Sequence, residues 1–233
     1  MPQTRPRSYL HRAIEAHVPQ KVLRDFWYAL RYGADAPRSD SAIFVDASAV
    51  NFTLARTTYP KRFRRHYSGS VLPGDWDLDR IDVEQNMKLV SCRMRWEQGA
   101  EWGDTPVFKR LSEEIAAGGR PDDCDTIEAL TARYAALDEL YRETRQRGRL
   151  LTKAELPDGF RREHGGILVH VGRDGTCLRG GGGAHRFAIA RILGLKDTPA
   201  QLGVVHPDAL RGGFLKDLLA PKAQANPDPS PVQ

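Results

Sequence analysis

The sequence predicts an α+β protein, in which a small sheet is assembled from separated stretches of chain and helices between them pack alongside. Three observations carry this expectation. A β pattern begins at Gly165, with Asp174-Gly175 set between two apolar runs, the dipeptide that a tight hairpin favours. A second apolar run, Ala42-Ile43-Phe44-Val45, lies between the turn-forming stretch Gly33 to Asp40 and Asp46, and reads as a buried strand. Helical periodicity dominates the chain between them.

Taken in order, the first element is helical. Leu10, Ile14, Val18, Val22, Phe26 and Leu30 recur at near four-residue spacing, and Pro19 divides the run into two pieces. After the strand ending at Asp46, the Gly- and Pro-rich stretch Gly69 to Asp77 predicts an ordered loop around Trp76. Met87 to Trp96 is an ambiguous apolar and basic stretch. Thr105-Pro106 ahead of Val107, Phe108, Leu111 and Ile115 predicts a capped helix with proline in its first turn. The clearest helix opens at Asp125, with Glu128 three residues on as a capping box, and stops at Gly148. Its apolar stripe, Ile127 to Tyr141, is ordinary core-facing amphipathicity. Beyond the hairpin, Ala184 to Leu193 reads as a helix ended by Gly194, and Ala200 to Val205 as a returning strand. The tail from Ala220 to Gln233 is rich in Pro, Ala and polar residues and reads as disordered.

With 40% hydrophobic residues in 233, the chain has material for a core. No apolar run is long enough to span a bilayer, and Met1 to His17 has no signal-peptide core, so the expected compartment is the cytoplasm and no membrane partner is expected. Cys92, Cys124 and Cys177 are widely spaced, which supports neither a zinc knuckle nor a disulfide framework. Net charge is +5 overall, yet residues 1–66 hold 12 Lys and Arg against 5 Asp and Glu. The densest cluster is Lys61-Arg62-Phe63-Arg64-Arg65-His66. Lys61 to Arg65 fits the phosphates of a nucleic acid or nucleotide, and equally a solvated face beside a loop.

The most informative element is Gly180-Gly181-Gly182-Gly183 between a strand and a helix. Consecutive glycines cost backbone entropy, so a special conformation or a close approach must offset them. A phosphate at a helix N-terminus is one such reason, because the first amides lack intrahelical partners and the helix dipole favours an anion. His185 and Arg186 in the first turn add side-chain donors. A flexible connection with an exposed basic pair is the alternative. His170 shares a face with Leu168 and reads as a packed strand histidine, with His164 and His206 weaker candidates still.

The order Val169-His170-Val171, Asp174-Gly175, Gly182-Gly183-Ala184-His185-Arg186, Ala188 and Ala190, then Leu195 and Thr198-Pro199-Ala200-Gln201-Leu202, resembles the ParB/sulfiredoxin superfamily over 167–206. The resemblance implies a small mixed sheet with helices, spanning 41–210. An N-terminal helical segment (1–40) would precede it, a helical insertion (about 83–150) interrupt it and a tail (211–233) follow it. The motif is closest to the sulfiredoxin form, Gly-Gly-Cys-His-Arg, but Ala184 stands where that family's reactive cysteine would be. Sulfinate repair therefore lacks its nucleophile, and Cys177 on the preceding strand is no substitute. What carries over is nucleotide-phosphate contact through Gly180 to Gly183, His185 and Arg186.

Two other branches of the superfamily bear on function. Partition proteins bind CTP and continue into a helix-turn-helix, whereas 207–233 ends in a Pro-rich tail, which sets the expectation against that branch. Free serine kinases bind an adenine nucleotide and use an acid near the end of the first strand. By position that acid is Asp46, with Asp75 as a second candidate base and Asp75 and Asp77 as candidate ligands for Mg²⁺. The leading expectation is an ATP- or ADP-dependent phosphotransferase, kinase-like, acting on a small hydroxyl-bearing substrate. The competing one is a nucleotide-gated or nucleic-acid-binding module using Lys61 to Arg65, and a nuclease is a third.

Overall fold

The computed structural model describes residues 9–55 and 63–221. Lys61 and Arg62 of the basic cluster, and the tail from Lys222 onward, lie outside the described residues.

The core is built on six strands, β1 (Ala42–Val45), β2 (Phe52–Leu54), β3 (Arg80–Asp82), β4 (Ile167–Val171), β5 (Cys177–Arg179) and β6 (Thr198–Val205), ordered β1-β6-β4-β5-β2-β3 in one mixed sheet. The hairpin expected at Asp174-Gly175 joins β4 to β5, with Gly175 at positive φ and the Asp174 carboxylate accepting from the Thr176 amide. β6 runs parallel to β4 and antiparallel to β1, so the strand ending before Asp46 shares a sheet with Val169. Both central strands are buried along their whole length, which is why β4 reads as a continuous apolar run interrupted only by His170.

Alternation along β4 sends Ile167, Val169 and Val171 to one face, where they join a cluster with Ile43, Leu202, Phe187 and Ile189. That face is covered by helices α3 (Met87–Trp96), α4 (Pro106–Ala116), α5 (Ile127–Arg147) and α6 (Ala184–Ile192). At about 1.5–3 kcal/mol for each fully buried large apolar side chain, this layer is the main source of stability. The opposite face carries a smaller cluster, Trp76, Leu178 and Val204, packed under Phe63, Tyr67 and Leu72. Trp76 is fixed there by its indole N–H, which donates to the Leu72 carbonyl at 2.9 Å, so the Gly- and Pro-rich loop is ordered by a buried aromatic.

Local signals explain most helix limits. The N-terminal run splits into α1 (Tyr9–Glu15) and α2 (Val18–Tyr32), with the chain turning at His17 (φ 55°) and Pro19 in the first turn of α2. Thr105 caps α4, and Asn86 caps α3, which settles the ambiguous stretch as helix. The cap of α5 differs from expectation. Thr126, not Asp125, accepts from the Ala129 amide, because the hydroxyl one residue further on is the one within reach of the third amide. Gly148 ends α5 in the left-handed conformation. The last helix, α7 (Pro207–Arg211), follows β6 directly. Among the described residues no helix is long and apolar enough to cross a membrane.

Candidate functional site

The glycine loop leaves β5, crosses beside the start of β4 and enters α6. The Leu168 amide donates to the Gly182 carbonyl at 3.3 Å and the Gly180 amide to the Leu168 carbonyl at 2.7 Å, so the loop is stitched to the sheet rather than free. Each glycine has its own reason. A Cβ on Gly180 would stand 2.7 Å from His170 Nε2, and one on Gly183, which has φ +68°, would stand 2.7 Å from the Ile167 Cα. On Gly182 it would overlap the Arg65 guanidinium. Gly181 alone is exposed with open space around it. Three of the four glycines therefore serve close approach by the protein's own groups, and the fourth opens the loop to solvent.

At the entry to α6, Gly183 provides no side-chain cap for the first-turn amides. Arg65 lies against Gly182, donating to the Gln201 side-chain carbonyl and, at 2.7 Å, to the Gly166 carbonyl. Arg186 donates to the Leu151 carbonyl, and its Nε is buried without a partner. Burial pulls the pKa of both guanidinium groups downward, Arg65 against the opposing charges of Asp40 and Glu163, and Arg186 against Glu163 and Asp158. Arg179, the last residue of β5, stacks over Phe187 at 5.5 Å. His185 turns inward, edge-on to Tyr134 at 5.4 Å, with Nε2 buried and unpartnered. Burial, reinforced by Lys88, drives its pKa down to about 4, so the imidazole is neutral at physiological pH.

Glu163 is a buried acid in the turn that leads into β4, against Gly166, and no sequence signal marks it. It is 1% exposed, its Oε2 accepts from the Lys153 amide at 2.8 Å, and its Oε1 has no partner. Burial raises its pKa, against the pull of Lys153 and Arg186. Its position follows from the turn that precedes β4, where the Gly166 amide donates to the Glu163 carbonyl at 2.9 Å.

The three acids expected at the site lie elsewhere. Asp46 accepts from the Ser48 amide at 2.9 Å and from Lys196 Nζ at 2.9 Å, and the Ala47 amide donates to the Leu195 carbonyl. These residues follow the C-terminus of α6, whereas the glycine loop opens its N-terminus. Nine residues at 1.5 Å each put about 13 Å of helix between them. Asp75 and Asp77 are both held by Arg173 in the β4–β5 turn, at 2.7 Å and 2.8 Å. The loop pairs instead with Leu168 at the start of β4, roughly 16 Å of extended chain away. The Arg173 guanidinium takes both carboxylates, and among the described residues no three His, Cys, Asp or Glu side chains converge as they would around a metal.

Behind the loop runs a polar network that sequence reasoning also missed. Gln201 Nε2 donates to Asp40 at 2.7 Å, while its carbonyl receives Arg65 and the Gly165 amide. Asp40, fully buried at φ 57°, also accepts from Lys21 at 2.8 Å, Arg161 at 3.1 Å and His164 at 3.2 Å. Burial alone would raise the Asp40 pKa, but His164 and Lys21 outweigh it and hold the carboxyl at about 2. Asp40 and Gln201 are separated by 161 positions, so local patterning carries no trace of their contact.

The remaining histidines are structural. His170 Nδ1 accepts from the Val204 amide at 2.9 Å, its ring fills the space left by Gly180 and Gly203, and burial lowers its pKa to about 3. His206 caps α7 through Nδ1. Glu101, Trp102 and Gly103 line a depression of about 380 Å³ with Arg95, Phe108 and Asp138. Cys92 and Cys124 are buried free thiols, and burial pushes that of Cys92 up to about 12.

No family model, curated protein or solved structure matches the chain.

Proposed function

We propose that this protein is a phosphate-binding module of ParB/sulfiredoxin-like type, with a nucleotide as its ligand, held at Gly181 to Arg186 and Arg65. One observation carries the reading. One largely buried guanidinium, that of Arg65, lies against Gly182 of the loop, a second, that of Arg186, belongs to the first turn of α6, and their hydrogen bonds among the described residues go to neutral carbonyl oxygens. Asp40, Glu163 and Asp158 act on these cations only from a distance, and a phosphate would supply the directly bonded anionic partner that both lack. The open side at Gly181 gives the approach, with the uncapped first-turn amides of α6 beneath it. The donor set suits the phosphates of ATP, ADP or CTP without choosing a base. Any Mg²⁺ would come with the nucleotide rather than with a preformed site of Asp75 and Asp77.

A binding module is preferred to a kinase because Asp46, Asp75 and Asp77 stand at the far ends of α6 and β4 from the loop. General-base work needs hydrogen-bond reach of the acceptor hydroxyl. Phosphotransfer to a small hydroxyl-bearing substrate is the second reading, and Glu163 favours it: a carboxyl of raised pKa in the same electrostatic neighbourhood as Arg65 and Arg186.

Calorimetry across ATP, ADP, CTP, GTP and short DNA, with and without Mg²⁺, tests both. Arg186→Ala is expected to weaken nucleotide binding by about 1.5–3 kcal/mol, the cost of a charged hydrogen bond. Equal affinity in the folded variant would remove this site. Turnover abolished by Glu163→Gln while binding persists would bring the kinase reading forward, and affinity for DNA alone, falling steeply with salt, would replace the nucleotide by nucleic acid.

A further inference from the structure

Helix α2 is amphipathic, but it faces the protein with its polar side. Lys21 reaches Asp40, Arg24 donates to the Ser68 carbonyl, Asp25 accepts from the Ser39 amide at 2.8 Å, and the Tyr28 hydroxyl accepts from the Val71 amide at 3.1 Å. Outward project Leu23 (71% exposed), Phe26 (63%), Trp27 (60%) and Leu30 (68%), continued by Val22 and by Leu10 and Ile14 of α1.

We infer that this face is the interface of a homodimer, in which α2 crosses α2 of a second copy antiparallel about a two-fold axis. The first argument is the pattern itself. Leu23-x-x-Phe26-Trp27-x-x-Leu30 reads the same in residue class in both directions, so a two-fold axis between Phe26 and Trp27 sets Leu23 on Leu30 of the other copy and Phe26 on Trp27. That symmetry comes with the i, i+3, i+4, i+7 spacing of an amphipathic stripe, and it allows an isologous contact in which both copies present the same residues. The second argument is charge. Along α2 the stripe carries no charged side chain, Arg31 at its rim falls opposite Val22 of the second copy, and the exposed Glu15 beside Ile14 is paired with His11, so no like charges meet along the α2 contact. The third is area. At about 150–250 Å² for each aromatic side chain, Phe26 and Trp27 show roughly 200–300 Å² between them. With the five aliphatic side chains the face is on the order of the 800 Å² per partner of a standard interface, above what a monomer ordinarily leaves exposed.

A lipid surface fits less well. A helix lying in a membrane interface keeps a row of cations free beside the apolar face, and here Lys21 and Arg24 are turned inward and engaged, which leaves Arg31 at the rim as the outward cation of α2.

The test is sedimentation equilibrium on the full chain, with Leu23→Glu and Leu30→Lys. Both side chains are exposed, and circular dichroism checks that each variant stays folded. The wild type is expected to dimerise, and each variant to raise the dissociation constant by at least about thirtyfold. An equimolar mixture of the two variants is expected to restore the dimer, because the antiparallel register sets the new carboxylate on the new ammonium and leaves the other leucine pair intact. A wild type that is monomeric throughout the micromolar range overturns the proposal, as does a mixture that stays monomeric. A monomer that sediments with anionic vesicles overturns it in favour of a lipid surface.

Discussion

Helices α2 and α6 differ in how they are attached to the body of the protein. α6 buries Phe187, Ala188, Ile189 and Ala190 against the sheet and is held by apolar area. α2 buries only Lys21 and is held by ion pairs and hydrogen bonds centred on Asp40 and Asp25. The difference shows that amphipathic periodicity marks a helix without saying which side docks. A buried carboxylate in the body, Asp40, can hold a helix by its cationic side and leave its apolar side outward.

The most forceful way to break the comparison is Asp40→Ala. It leaves Lys21 without its counter-charge and Arg161 with Asp25 alone, and is expected to cost about 3–5 kcal/mol in urea unfolding, with early loss of amide protection in α2. Phe187→Ala strikes the other mode of attachment. It is expected to cost about 3 kcal/mol, nearly independent of pH and salt, because a cavity has no charge to titrate or screen.

Acid sharpens the contrast. With its pKa held at about 2 in the folded protein against an ordinary 3.8, Asp40 contributes about 2 kcal/mol that is fully present above pH 3.8 and lost as pH falls through 2. Hydrogen exchange at low pH is therefore expected to release α2 before α6, and simultaneous release would show the two attachments to be alike. The smallest effect belongs to Leu23→Ser, which should change monomer stability by no more than about 0.5 kcal/mol although it removes a large apolar side chain.

Much of the architecture is legible in local sequence. The break around Pro19, the Thr105 cap, the Gly148 stop, the Asp174-Gly175 hairpin and the returning strand, expected from Ala200 and found from Thr198, each rest on residues a few positions apart, where backbone chemistry decides. β2 and β3 were not legible. Each has three residues, and Arg80-Ile81-Asp82 is exposed throughout, so neither alternation nor an apolar run marks it. The glycine loop was visible, but what fills it was not. Arg65 on Gly182 and Glu163 beside the start of β4 depend on contacts across the sheet, and Asp40 looked like one more turn residue. The acids singled out by position failed to gather for the same reason: rank in the chain does not tell which end of a helix or strand a side chain will reach.

The charged strand β3 also limits how this molecule can associate with itself. Among the described residues it forms one edge of the sheet and pairs with β2, and at Asp82 the chain already turns away, the carboxylate accepting from the Glu84 amide. A foreign strand docking there would meet three exposed residues, two of them charged and of opposite sign, too short and too polar a template for open-ended growth. Contact through α2, by contrast, is used up once two copies meet across a two-fold axis. Crowding this protein should therefore favour a counted assembly over a fibre.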